Sequence, residues 1–251
     1  MSNKNHSGLR PFLKAAHENE CEGLEEYRDF VDLLDRIDGF FRELLAVEFR
    51  GSPLAATLFM NAHASFLAAS RLALSGQGPP TFMTLRGALE SALYGLIASR
   101  SKENASVWLN RDKNLEQSRR LFTARNGLKL LKDDPNLSIG ASEAYELTIE
   151  FGAHPNARSV LENLSLNEKG MSLTYLQGVA SIGVARIILA CIETGLVIIF
   201  ICPHAFPDHE PALAVHAGAC KIRDELDRFL QERGYLREPD DEENAKDNHR
   251  G

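Results

Sequence analysis

Between residues 24 and 49, apolar positions recur at intervals of three and four: Phe30, Leu33, Ile37, Phe40, Leu44 and Val47. That period predicts a helix with one buried face. Tyr27, Val31, Leu34, Phe41 and Leu45 widen the stripe, so neighbours are expected on two sides. Gly51-Ser52-Pro53 then reads as a helix start, with Ser as cap and Pro where a missing N–H costs nothing. An alanine-rich helix over 53–75 follows, closed by Gly76-Gln77-Gly78-Pro79-Pro80. The next, over 81–100, spaces Phe82, Leu85, Leu89, Leu93 and Leu96 along one side. Their short connection predicts an antiparallel pair.

Further on, a short helix over 104–110 is expected to be anchored by Trp108, and another to run over 112–132. Ser142 is a plausible cap for a helix reaching Phe151, and residues 157–164 fit one more short helix. Residues 167–170 read as a turn and 171–175 as extended chain. The most apolar stretch ends near Cys202 and predicts a buried central helix at about 176–202, around which the others pack. Pro203 to Pro211 reads as a loop, and the last helix is expected over 211–234.

The central stretch approaches the roughly 20 residues of a membrane span. It holds Arg186 and Glu193, though, and a mid-bilayer charge costs about 3 kcal/mol. A buried helix of a water-soluble fold is the expectation. No apolar-polar alternation of strand type appears. The predicted fold is therefore all-α, an irregular bundle of six to eight helices. It is expected as one helical domain over 21–235, with a loosely ordered or partly helical segment at 1–20 and a disordered acidic tail at 236–251.

Composition changes this picture little. The chain has 251 residues, 44% of them hydrophobic, and a net charge of −7. The charge disfavours a dedicated nucleic-acid binder. One segment runs the other way: residues 111–132 hold seven bases against two acids. Arg125, Lys129 and Lys132 share a helical face there, and Arg119, Arg120, Arg125 and Lys129 form the best candidate contact for nucleic acid or phosphate. A solvated face is the simpler reading. Cys21, Cys191, Cys202 and Cys220 have no metal-ligand spacing. The first residues lack the apolar core of a signal peptide, so a reducing cytoplasm is expected. Neither a metal nor a cofactor is expected.

Four charges stand out because their surroundings are apolar. Arg86 and Glu90 lie one turn apart in an otherwise uncharged helix, and Arg186 and Glu193 lie two turns apart in the central one. Pairing across the helices, Arg86 with Glu193 and Glu90 with Arg186, would satisfy all four as a structural network. Alternatively, the four line a small-ligand pocket. The segment FGAHPN, residues 151–156, brings Glu150, His154 and Asn156 close together in sequence. His154 with Glu150 is the candidate acid–base pair, and Asn156 a candidate ligand contact. The simpler reading of His154 is a cap on the preceding helix. His63 fits a hydrogen-bonded core histidine, and His204, His209 and His216 with Asp208 follow no ligand rule.

The run LRGALESALYG, then VWLNR, then a helix ending in FGAHPN resembles uncharacterised bacterial all-helical proteins near the HEPN group, over roughly residues 55–205. HEPN ribonucleases carry an Arg followed four to six residues later by His on one helix, and no Arg here has a His at that spacing. The resemblance therefore implies a helical, often dimeric module without an assigned activity. The leading expectation is a cytosolic binding or interaction module without catalysis of its own, and a homodimer because apolar helix surface is abundant. The alternatives are a HEPN-like ribonuclease or other hydrolase using His154, and a small-ligand sensor.

Overall fold

A computed structural model of the chain describes residues 8–45, 51–153, 164–167, 170–173 and 175–232. Among them are ten α-helices: α1 (Leu9–Glu26), α2 (Arg28–Leu45), α3 (Pro53–Leu74), α4 (Gly78–Ser99), α5 (Lys102–Leu109), α6 (Leu115–Leu121), α7 (Ala124–Lys129), α8 (Pro135–Thr148), α9 (Ile182–Ala205) and α10 (Glu210–Glu232). The fold is all-α. A π-helical turn, Ile149–Ala153, extends α8, and one antiparallel hairpin pairs β1 (Leu164–Asn167) with β2 (Gly170–Leu173). The pairing of Asn167 with Gly170 agrees with the turn expected there, and β2 with the extended chain.

α3 and α4 form the antiparallel pair that their short connection predicts, and they share the largest helix–helix contact of the fold. Ser52 caps α3 by accepting a hydrogen bond from the Ala55 amide. α9 lies against α4, α3, α2, α8 and α10. A helix apolar on all sides must be surrounded, and Ile188, Ile192, Leu196 and Ile198 are fully buried. Gly195 lets α9 approach closely: a Cβ there would come within 2.7 Å of the Phe66 ring and 3.0 Å of Ile37. By length and composition α9 could cross a membrane, but 72% of its most apolar window is buried inside the protein.

Several boundaries differ from the sequence reading. Helix begins at Leu9, so most of the segment expected to be loosely ordered is regular. Asn19 holds it, donating to the carbonyls of Ser75 (3.2 Å) and Gln177 (3.1 Å). The long helix expected from residue 24 is interrupted at Tyr27, whose hydroxyl donates to the carbonyl of Val179 at 2.6 Å. α9 starts at Ile182, later than about 176, because Ser181 accepts from the Gly183 amide and sets the first turn. It then runs through Pro203 to Ala205, where a loop was expected. The basic segment splits into α6 and α7 because Thr123 caps a new helix. α8 starts at Pro135, capped by Asp134, and Ser142 lies inside it. These splits raise the helix count above six to eight. Val47, residues 157–163 of the helix expected over 157–164, and the tail at 236–251 lie outside the described residues; Leu164, the last residue of that expected helix, is in β1 instead.

Candidate functional site

The seam between α4 and α8 gathers the most distinctive polar group. Arg86 Nε donates to Glu90 Oε1 at 2.9 Å, one turn along α4. From α8, the Tyr145 hydroxyl donates to the same oxygen at 3.1 Å and accepts from Arg86 at 3.3 Å. Arg86 also lies 5.5 Å from the centre of the Tyr145 ring. The pair is about a quarter exposed, 28% for Arg86 and 25% for Glu90. Burial works against the Arg86 charge, but the hydrogen bond and field of Glu90 more than offset it, so its pKa lies above the ordinary value. Burial, with Glu90 adding to it, pushes the Tyr94 hydroxyl up to about 12. Tyr145 rises for the same two reasons.

The cross-helix pairs expected from sequence do not form. Arg86 is paired with Glu90 on its own helix, and Arg186 is exposed on α9. Glu193, half-buried on α9, lies in the field of Arg223 and Asp227 of α10 and Glu143 of α8. Burial raises its pKa, the two acids add to this, and Arg223 opposes it. The four charges therefore do not converge on one pocket, because successive turns of α9 face different neighbours. Tyr145 completes the α4 pair, and sequence reasoning missed it. Only the packing of α8 on α4 shows that it points inward.

The same seam continues into the π-helical turn. Phe151 packs on Phe82, with ring centres 5.2 Å apart. Gly152 lies so close to α4 that a Cβ would fall 2.6 Å from the Met83 nitrogen and 2.7 Å from Phe82 Cβ. Phe82 is one turn before Arg86, so the π turn packs on α4 about one turn away from the polar group. Glu150 is exposed on that turn. His154 and Asn156 lie outside the described residues.

Three of the other histidines have partners within the fold. His63 Nε2 is 2.6 Å from Asp38 Oδ1, and its ring stacks on Phe41 at 4.7 Å. Asp38 also takes an ion pair from Arg42. His209 is buried, with Nε2 3.0 Å from the Leu44 carbonyl. His204 lies 3.6 Å from Asp134. Among the described residues, no group of three or more His, Cys, Asp or Glu side chains is placed to hold a metal ion.

A second polar region spans α5 to α7. Trp108 packs on Phe122 at 4.8 Å and on Tyr94 at 5.5 Å, with Arg111 over its ring at 5.0 Å. Asn114 and Thr123 cap α6 and α7. Beside them lies an open cleft of about 680 Å³ lined by Asn104, Asn114, Gln117, Arg120 and Asn126, with the acids Glu103 and Glu116. Arg119, Arg120, Arg125 and Lys129 are all exposed. Elsewhere Arg28, Arg36, Arg42, Arg71 and Arg86 each meet a carboxylate. None of the four cations on α6 and α7 forms an ion pair among the described residues.

Comparison of the chain with family models, curated proteins and solved structures finds no match.

Proposed function

We propose that this protein is a helical binding module without catalysis of its own, and that it recruits an anionic partner through α6 and α7. The observation carrying this reading is the cluster of four exposed cations, Arg119, Arg120, Arg125 and Lys129, none of which meets a carboxylate among the described residues, in a chain whose net charge is −7. Cations left without a carboxylate favour a negatively charged partner and its on-rate. Arg120 and Gln117 also line the neighbouring cleft, where the side-chain amides of Asn104, Asn114 and Asn126 already donate within the chain and hold its wall in place. Two short capped helices form a stiff platform, so little order needs to be gained on binding.

The test is a fluorescence-anisotropy titration with two probes, a single-stranded RNA oligomer and a poly-glutamate peptide, at low and at physiological salt. Binding of either probe should weaken as salt rises. Replacing Arg119, Arg120, Arg125 and Lys129 together by Glu should cost at least about tenfold in affinity. Binding of neither probe at low salt, or an unchanged affinity in the variant, would overturn the proposal.

The π-helical turn favours a second reading, because such turns are frequent at functional sites. It holds Glu150 and packs on α4 about one turn from Arg86, and His154 follows it in sequence. Here the module hydrolyses its ligand, with His154 and Glu150 as the acid–base pair. RNA cleavage by the purified protein that disappears in His154→Ala would support this reading, and an intact substrate after prolonged incubation would exclude it for RNA.

A further inference from the structure

A pocket of about 310 Å³ opens where α1 passes into α2, beside the start of α9 and the end of α10. Tyr27, the residue at which the long apolar stripe is interrupted, stands in its wall. The Tyr27 hydroxyl is held by the carbonyls of Val179 (2.6 Å) and Ser181 (3.2 Å), which fixes its ring against the segment leading into α9. The centres of the Tyr27 and Phe30 rings are 6.3 Å apart, with planes inclined by 14°, and Phe30 meets Phe229 of α10 edge to face at 5.2 Å. All three rings line the pocket, and Ile182 adds apolar surface. They form one continuous aromatic wall, a surface that attracts cations as well as apolar groups.

The charges around this wall have one sign. Glu26 at the end of α1 and Asp29 in the first turn of α2 line the pocket and are exposed, and no Lys, Arg or His among the described residues lines it. Neither acid forms an ion pair among the described residues, whereas the adjacent Glu25 meets Arg28 at 2.7 Å. Glu26 also lies at the negative pole of its own helix, in a last turn that holds no base, so a cation beside it would relieve that placement. The N-terminus of α9 opposes this with about half a positive charge. Its Gly183 amide is already taken up by Ser181, and two full carboxylates outweigh it. A more open cleft of about 810 Å³ shares Glu26 and Ala180 with the pocket and adds Glu22 and Glu25, which draw cations toward it.

We infer that this pocket binds a small organic cation, an alkylated ammonium group resting on the Tyr27–Phe30–Phe229 wall with Glu26 and Asp29 balancing its charge. Volume and chemistry carry the choice. The pocket lies at the lower end of the range of small-ligand sites, roughly 300–1,000 Å³, which gives room for a head group with a short tail. A hard metal ion needs several oxygen ligands converging on one point, and no such group occurs among the described residues. A methylated ammonium carries its charge under an apolar, weakly hydrated surface, and aromatic rings with nearby carboxylates match both properties. The pocket belongs to α1, α2, α9 and α10, away from the cations of α6 and α7, so this inference and the proposed anion recruitment can each fail alone.

The experiment is a proton NMR titration of the full chain with choline as the probe. It follows the trimethylammonium signal, which ring currents move upfield when the group lies over an aromatic face. Choline should show that shift, with a Kd of roughly 1 mM or below. Its neutral carbon analogue, with tert-butyl in place of trimethylammonium, should bind at least about tenfold more weakly. Glu26→Gln combined with Asp29→Asn should weaken choline by about tenfold, and Phe229→Leu should weaken it about threefold or more and reduce the upfield shift. Both variants should keep the circular dichroism of the wild type. Glu116→Gln, an exposed acid on α6, is the control and should leave the affinity unchanged. No binding at roughly 10 mM choline would overturn the inference. So would equal binding of the neutral analogue, or an affinity that survives both pocket variants or falls equally in the control. A trimethyllysine peptide that binds more tightly than choline would assign the pocket to a protein partner and overturn the small-molecule ligand.

Discussion

Arg86→Met tests whether the α4–α8 polar group is a lock on the fold. The change keeps an unbranched apolar stem and removes the guanidinium with its charge. It deletes the 2.9 Å bond to Glu90, the 3.3 Å bond to Tyr145 and the cationic contact with the Tyr145 ring. A hydrogen bond between charged groups contributes about 1.5–3 kcal/mol when sheltered, and an exposed helical pair only about 0.3–0.5 kcal/mol. At one-quarter exposure the coupling between Arg86 and Glu90 should lie near 1 kcal/mol. The full cost of Arg86→Met should be about 1–2 kcal/mol, because Glu90 keeps only the Tyr145 hydroxyl. For a chain of this size that lowers Tm by roughly 3–7 °C. The assay is urea unfolding, followed by far-ultraviolet circular dichroism, on wild type, Arg86→Met, Glu90→Gln and the double variant. The double variant should cost less than the two single changes added together, by about 1 kcal/mol. Arg186→Met, on the exposed face of α9, should stay within about 0.5 kcal/mol of wild type. Coupling of Glu90 to Arg186 in a matching cycle, or none between Arg86 and Glu90, would refute the geometry.

Three further outcomes follow from burial and close approach. Glu193→Gln should raise Tm at neutral pH and leave it unchanged below the ordinary carboxylate range. The folded-state pKa of Glu193 is raised, so the wild type bears the cost of a buried charge only above that pKa, and the cost vanishes as pH falls to the unfolded value. Melting curves across pH check this, and equal Tm values at every pH would count against it. Gly152→Ala should destabilise by about 1–3 kcal/mol, because the added carbon meets backbone and Cβ atoms of α4 that cannot yield; thermal unfolding reads the loss, and an unchanged Tm would show that the π turn can move away. Ellman's reagent should modify Cys21 and Cys220 quickly in the native protein and Cys191 and Cys202 only after denaturation. The latter two are buried, and burial pushes their thiols well above the ordinary value.

What could be read from the chain was whatever depends on local period. The α3–α4 pair follows from alanine-rich and leucine-spaced runs around a short Gly-Pro turn, and α9 follows from an apolar run too dense for a surface helix. The interruption at Tyr27 was not legible, because the apolar stripe continues through it and only the carbonyl of Val179, 152 residues away, explains where the hydroxyl goes. Asp134 was ambiguous for a related reason. Asp-Pro can follow one helix or begin another, and here it begins α8: Asp134 accepts from the Leu137 amide, whereas α7 already ends at Lys129.

The candidate site shows the same division at the level of chemistry. Sequence singled out Arg86 and Glu90 because charge is rare on that helix, and the two do form the centre of the α4–α8 group. It could not supply their partner. A pairing of Arg86 with Glu193 required the turn of α9 that holds Glu193 to face Arg86, and there Glu193 feels the charges of α10 and α8 instead. Rotation of one helix about its axis is set by the volumes of all the side chains it touches, and a list of charges does not contain that information. Exposure has the same origin. The exposed cations of α6 and α7 are defined by what the rest of the chain leaves uncovered. Burial follows from the same packing: α3, α5, α7, α8, α9 and the π turn all lie against α4, so of its large apolar side chains Met83 alone is left exposed.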